Sequence, residues 1–213
     1  MFSSAIERLN DRRDAVGDAG EDAGFTLIEL MVVLLILAIL LAIAIPTFLG
    51  VTKSANDRAA QSNLNTALVN AKSIFQTNGQ SYALAGATGA ASQTANNASM
   101  VGSLTTAEPN LSFVTGTVTA GLAPSTVSVA VAQDGNGVIL AEQAKGTTNC
   151  WYIVDNSTLE SVALGGAPYT NFTGGAANAL AAGTWYGKTA GPTASCTANI
   201  PTGVTFQANG FSS

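Results

Sequence analysis

The chain contains no histidine, and only two of its 213 residues are cysteine. Without imidazole, the sequence excludes His-based catalytic triads, imidazole acid–base chemistry and the usual histidine-containing zinc sites. Charge is also scarce, since Asp, Glu, Lys and Arg make up 10% of the residues and the net charge is −5. The sequence has too few Lys and Arg residues to form a basic stripe, so we expect no dedicated nucleic-acid site.

Other chemistry-bearing patterns are missing as well. The sequence has no Gly-rich phosphate loop, no paired-carboxylate pattern and no Ser nucleophile with a base. Asp134, Asp155 and Glu160 lie in or beside turn-forming sequence, where solvated acids are usual. We therefore expect no enzyme, no catalytic residues, no cofactor and no metal site.

One long apolar segment dominates what is present. From Leu27 to Ile45 almost every side chain is aliphatic, and no charged residue occurs between positions 30 and 52. A helix needs about 20 apolar residues to cross the ~30 Å hydrocarbon core of a membrane. Glu29 lies inside this run, and an ionisable group at membrane depth is costly enough to indicate a function.

Three interpretations of the run compete. A secretory signal peptide fits Ala42-Ile43-Ala44 but not the length of the run or its carboxylate. A plain signal anchor explains the length, but neither Glu29 nor the change from polar to apolar sequence at Gly24-Phe25. The third is a leader cut between Gly24 and Phe25. Three upstream arginines, Arg8, Arg12 and Arg13, predict an N-terminus on the cytoplasmic side.

The residues around this junction, 24–30, have the sequence GFTLIEL and continue into an aliphatic run that ends near Pro46. This combination closely resembles the processing site of type IV pilins and related pseudopilins. The resemblance extends over about the first 78 residues and covers the remainder only in outline.

The resemblance implies a processing route. Prepilin peptidase would remove the leader, residues 1–24, and N-methylate the new terminus at Phe25. Further implied partners are identical subunits in a helical homopolymer, the pilus assembly platform with its ATPase machinery, and membrane lipid before assembly. The chain would be a single-pass membrane protein first and part of an extracellular pilus afterwards.

For Glu29 the resemblance implies a pair with the terminal amine of a neighbouring subunit. Because the run holds no Lys or Arg, the α-amine of Phe25 is the available cation, and a buried charge needs a partner. The alternative is a carboxylate that reaches the membrane interface.

A long helix is predicted over residues 25–78, with an apolar half (25–49) and an amphipathic half (50–78). Pro46 and Gly50 predict a kink or weak point. Apolar residues at helical spacing predict a stripe that packs on a sheet: Ala60, Leu64, Ala67, Leu68, Ala71, Ile74 and Phe75. Asn78-Gly79 predicts the end of the helix.

The remaining sequence predicts a connecting segment over 79–110, with one short helix near 95–104, and a β-sheet head over 111–213. Strands are predicted at 111–119, 126–133, 137–144, 150–154 and 158–163, with a tight turn at 134–137. The tail beyond position 165 is expected to be loop-rich. The fold class is therefore α+β, a long helix on an antiparallel sheet of about four or five strands.

Cys150 and Cys196 would form one disulfide in an exported head, or remain two unpaired buried thiols. The resemblance favours a disulfide that bounds the C-terminal region. The main functional hypothesis is a structural pilin precursor. The alternatives are a pseudopilin of a secretion or DNA-uptake system and a membrane-anchored binding domain that does not polymerise.

Overall fold

The computed structural model describes residues 25–88, 91–119, 125–157, 182–189, 195–198 and 204–211. The chain forms two compact units, Met1–Phe48 and Leu49–Ser213. Helix α1, Leu27–Thr77, begins in the first unit and ends in the second.

The C-terminal end of α1 has the local chemistry that the sequence predicts. Gly79 adopts φ +65°, a conformation that glycine reaches without steric cost. The amide of Gln80 donates to the carbonyl of Phe75 at 3.0 Å, and the amide of Asn78 donates to Ile74 at 2.9 Å. These bonds satisfy carbonyls that the last helical turn would otherwise leave unpaired.

The predicted apolar stripe is confirmed in the second unit. Five of its residues are buried: Ala60, Leu64, Ala67, Leu68 and Ala71. They pack in one cluster with residues from one face of the sheet, including Val129, Leu140 and Ile153. The stripe therefore forms part of the core on this face of the sheet.

Helix α2, Gln93–Ala107, is longer than the short helix expected near 95–104. Buried amide side chains attach its first turn to the sheet. The Gln93 side chain donates to the carbonyl of Val131 at 3.1 Å, and Asn97 accepts from the Val131 amide at 2.7 Å. These two bonds satisfy backbone groups at the end of a buried strand.

The strands are β1 (Ser112–Val114), β2 (Val118–Thr119), β3 (Thr126–Val131), β4 (Gly137–Gln143), β5 (Cys150–Asn156), β6 (Gly183–Thr189), β7 (Ser195–Cys196) and β8 (Thr205–Gln207). Six form one sheet in the order β1-β3-β4-β5-β6-β8, and β2 pairs with β7 in a second, two-stranded sheet. All neighbours are antiparallel except β1 and β3, which are parallel.

The α+β class is confirmed, but the sheet is larger than expected and mixed. The predicted strand 111–119 is two short strands in different sheets, interrupted at Gly116. Strands β6, β7 and β8 lie in the tail that was expected to be loop-rich, and the expected strand 158–163 lies outside the described residues. Gly187 lies in the middle of β6. A Cβ at this position would overlap Val204, so glycine permits the close approach of two chain segments.

The disulfide between Cys150 and Cys196 is confirmed, with Cα atoms 5.6 Å apart. It joins the start of β5 in the larger sheet to β7 in the smaller one. Both cysteines are buried in a second apolar cluster, separate from the cluster that contains the α1 stripe. The pair therefore links β7 covalently to the larger sheet.

Candidate functional site: the N-terminal junction and its helix

The sequence analysis singles out Phe25 and Glu29 at the N-terminal end of α1, and Thr26 lies between them. Thr26 precedes the first helical residue, and its hydroxyl oxygen accepts from the amide of Glu29 at 3.2 Å. The same hydroxyl donates to the Glu29 carboxylate at 3.3 Å. Phe25 is 82% exposed, and Gly24 lies outside the described residues.

This arrangement is a helix cap that sequence reasoning missed. A Thr followed three residues later by Glu, directly before an apolar run, is the pattern of a capping box. Thr26 satisfies one of the free amides of the first turn, and Glu29 places negative charge at the positive end of the helix dipole. The carboxylate is exposed, so the single chain leaves it accessible to a further cation.

Among the residues that the structure describes, the aliphatic part of α1 has no packing partner. Every described residue from 25 to 50 is exposed. Among the large apolar side chains the exposed fraction runs from 48% at Leu37 to 82% at Phe25. A continuous apolar surface of this length is not stable in water and needs lipid or other protein to cover it. By length and composition, α1 is the one helix in the described part of the chain that could cross a membrane.

Pro46 and Gly50 both lie within continuous α-helix. Proline has no amide hydrogen, so the carbonyl four residues earlier loses its usual donor. The adjacent Thr47 hydroxyl bonds to the carbonyls of Ala44 at 2.9 Å and Ile43 at 3.1 Å. Such side-chain bonds also weaken regular helix geometry. The kink at Pro46 and Gly50 remains a prediction, and Thr47 is a further residue that acts at the same place.

Two charged residues of α1, Asp57 and Lys72, bond to groups on or beside the sheet. The Asp57 carboxylate accepts from the Trp151 indole at 3.0 Å and from the Asn149 side chain at 2.9 and 3.1 Å. Lys72 forms an ion pair with Asp155 at 2.9 Å. These contacts fix the rotation of the helix on the sheet at two places.

The prediction that Asp155 is a solvated turn acid is wrong. Its carboxylate also accepts from the Tyr82 hydroxyl at 2.6 Å and the Thr184 hydroxyl at 2.7 Å. Burial, together with the bond to this carboxylate, raises the pKa of Tyr82 well above its ordinary value. Asp134 does lie in a turn, where it accepts from the amide of Asn136 at 2.9 Å. Glu160 lies outside the described residues.

Glu142 is a buried acid that the sequence reasoning did not single out. It lies on the helix side of β4, 3% exposed, where the Asn63 side chain donates to one carboxylate oxygen at 2.9 Å. The other oxygen has no partner among the described residues. Burial raises the pKa of Glu142 to about 8, and the bond from Asn63 opposes this only in part. Near neutral pH the side chain is therefore protonated.

The predicted site residues thus form separate groups. Phe25 lies two residues before α1 and Glu29 lies in its first turn, while the cysteines belong to the second unit. A chain with an exposed aliphatic helix segment, a capped helix N-terminus and a disulfide-linked α+β unit fits the class of proteins that an N-terminal helix anchors in a membrane.

Comparison with known proteins adds one finding. Residues 21–45 match the prokaryotic N-terminal methylation motif, so the chain carries the signature of type IV pilins and pseudopilins. This motif marks a structural, pilin-like family and not an enzyme family. It implies cleavage by prepilin peptidase and assembly in a pilus-like system. No curated protein and no solved structure matches the chain.

Proposed function

We propose that the chain is the precursor of a structural subunit of a type IV pilus. The observation that carries this proposal is the methylation motif at residues 21–45, which runs into the first part of α1, where every described residue up to position 50 is exposed. Prepilin peptidase removes residues 1–24 after Gly24 and N-methylates Phe25. Residues 25–49 first span the membrane and then form the filament core, residues 50–78 form the amphipathic half of the helix, and residues 111–213 form the head behind the 79–110 connection.

Apolar burial supports polymerisation through the helix. Lipid and neighbouring helices can each cover the aliphatic surface, so exchange of one for the other keeps it out of water. In the filament, identical helices bury the segment against one another. The assembly platform and its ATPase supply the work of extraction, and the finished pilus is extracellular.

Glu29 sets the register between subunits in this proposal. Cleavage creates an α-amine at Phe25, a cation at the positive end of the helix dipole, where positive charge is unfavourable. The exposed Glu29 carboxylate of a neighbouring subunit can neutralise that amine. In the single chain its side-chain contact is the 3.3 Å bond from Thr26, which leaves acceptor capacity on both oxygens.

The same steps also serve a pseudopilin, the alternative function, which assembles into short fibres of a secretion or DNA-uptake system. Intact-mass measurement and electron microscopy test the proposal. We expect the mature protein to begin at Phe25 with one added methyl group, and sheared surface fibres to contain that species as the main subunit. An uncut chain, or fibres without this protein, would contradict the proposal. Short fibres seen only when the chain is overproduced would favour the pseudopilin.

A further inference from the structure

An open groove lies on the second unit beside the first turns that follow the aliphatic segment. It consists of two hollows, each about 350 Å³, that share Ser54 and Arg58. One hollow is lined by α1 alone and adds Gly50, Val51 and Ala55. The other lies between α1, β5, β6 and the segment after β8, and adds Asp57, Gln61, Trp151, Lys188 and Phe211. We refer to the two together as the Arg58 groove.

The two ends of the Arg58 groove differ in chemistry. At the first end Gly50 leaves open space where a side chain would stand, and Val51 is 68% exposed. The second end is aromatic and cationic. Its floor is Trp151 with Phe211 packed edge-on at 5.4 Å, and Lys188 Nζ lies 4.8 Å from the centre of the Trp151 ring. The groove is therefore apolar at one end and positive at the other.

Among the described residues, neither Arg58 nor Lys188 forms an ion pair with a carboxylate. Within the described ranges Arg58 forms no hydrogen bond or ion pair, and the ion pair found there joins Lys72 to Asp155. Asp57 also lines the groove, but its oxygens accept from Asn149 and Trp151. With two cations and one acid, the groove keeps a net positive charge toward an incoming anion.

We propose that the Arg58 groove binds an anionic phospholipid, with the phosphate between Arg58 and Lys188 and the start of an acyl chain along Val51 and Ala55. Guanidinium binds phosphate oxygens through paired hydrogen bonds, and an ammonium supplies a second point charge. An apolar surface next to a phosphate site suits an amphiphile better than a free ion. In sequence, Arg58 follows the last residue of the aliphatic segment, Leu49, by nine positions. The inference rests on the membrane anchoring in the proposed function.

The test uses the full chain in nanodiscs of phosphatidylcholine that contain a minor fraction of phosphatidylglycerol. Native mass spectrometry measures which lipid stays bound after release from the disc. We compare Arg58→Gln and Lys188→Gln with Lys145→Gln, which removes the same charge from an exposed loop residue outside the groove. Loss of one charge-assisted bond should lower phosphatidylglycerol retention about tenfold in each groove variant. Lys145→Gln should leave retention unchanged.

Each other outcome contradicts the proposal in a distinct way. Equal loss in Lys145→Gln would indicate general surface charge, and unchanged retention in both groove variants would exclude the groove. Inorganic phosphate that competes at the same concentration as phosphatidylglycerol would identify a simple anion site. If the wild type inserts but retains no phosphatidylglycerol, the groove proposal fails while anchoring stands. A chain that inserts in no disc would contradict anchoring, and the groove proposal with it.

Discussion

At the level of single residues, Glu29 combines a local structural role with a proposed role between subunits. Its amide is capped by Thr26, and its carboxylate contacts the same hydroxyl. A substitution that removes the whole side chain changes both the helix end and the charge. Variants that separate the two effects are needed to show which one assembly requires.

We predict that Glu29→Gln, which keeps the size and hydrogen-bonding capacity of the side chain, blocks filament assembly as strongly as Glu29→Ala. Both variants should still insert in the membrane, because neither adds charge to the apolar run. Thr26→Ala is the matched control. It weakens the cap by about 1 kcal/mol but keeps the carboxylate, so fibres should still form. Fibre yield by electron microscopy is the measurement, and normal fibres from Glu29→Gln would show that charge pairing is not needed.

Glu142 gives the second unit a pH dependence that can be assigned to one group. Its pKa of about 8 in the folded state exceeds the ordinary value of 4.5, so the folded state keeps a proton that the unfolded chain releases. The resulting stabilisation is complete below about pH 4.5 and is lost as the pH rises to about 8. We predict that the free energy of unfolding falls over this window by up to ~1.4 kcal/mol per pH unit. Histidine, which would otherwise titrate here, is absent from the chain.

Glu142→Gln should flatten that profile, because it keeps a neutral, hydrogen-bonding side chain beside Asn63. Glu108→Gln is the control, since that half-buried acid lies after α2 and bonds to its neighbour Asn110. Denaturant unfolding at several pH values measures the free energy of unfolding of both variants. A slope that persists in Glu142→Gln would assign the pH dependence to another group.

At the level of elements, local sequence patterns predicted the strands, turns and helix faces that are determined by residues close together in the sequence. The alternating β-branched residues of β3 and β4 and the turn between them were correctly predicted, and Gly135 in that turn has φ +76°. The stripe on α1 was predicted from its spacing. The T-x-x-E cap at residues 26–29 was also present in the sequence and could have been found by the same reasoning.

The missed elements depend on contacts between distant parts of the chain. Strand β1 is parallel to β3, and no local residue pattern specifies which distant strand a three-residue segment will join. Strand β6 is stabilised by pairing with β5 on one side and β8 on the other. Likewise, Asp155 and Glu142 are buried because α1 lies over the sheet, and the sequence composition alone does not predict that position.

Substitutions in the α1 stripe measure how much helix packing contributes to the free energy of unfolding of the second unit. Leu64 is fully buried against the sheet, whereas Val69 on the same helix is 67% exposed. We predict that Leu64→Ala lowers the free energy of unfolding of the second unit by about 2–5 kcal/mol, through lost burial and the cavity that remains. Val69→Ala should change it by less than about 0.5 kcal/mol. Equal effects in denaturant unfolding would contradict this orientation of the helix.

At the level of the whole molecule, the two units need different surroundings. The described residues of the first unit contain no buried side chain, while the second contains both apolar clusters and the disulfide. The second unit therefore has the core of a protein that is stable in water. The first has a surface that only lipid or other helices can cover.

We predict that a chain of residues 50–213 folds alone and stays soluble without detergent, because the deletion removes none of the buried residues of either cluster. Its thermal unfolding midpoint should equal that of the same residues in the full chain. The full chain must be kept in detergent or a membrane for this measurement. Size-exclusion chromatography and thermal unfolding of both forms, with the disulfide oxidised, make the comparison. The reciprocal fragment, residues 25–49, should remain in the membrane fraction. If residues 50–213 aggregate or unfold, the head would depend on the aliphatic helix for stability, and exchange of lipid for neighbouring helices during assembly would then also disturb the head.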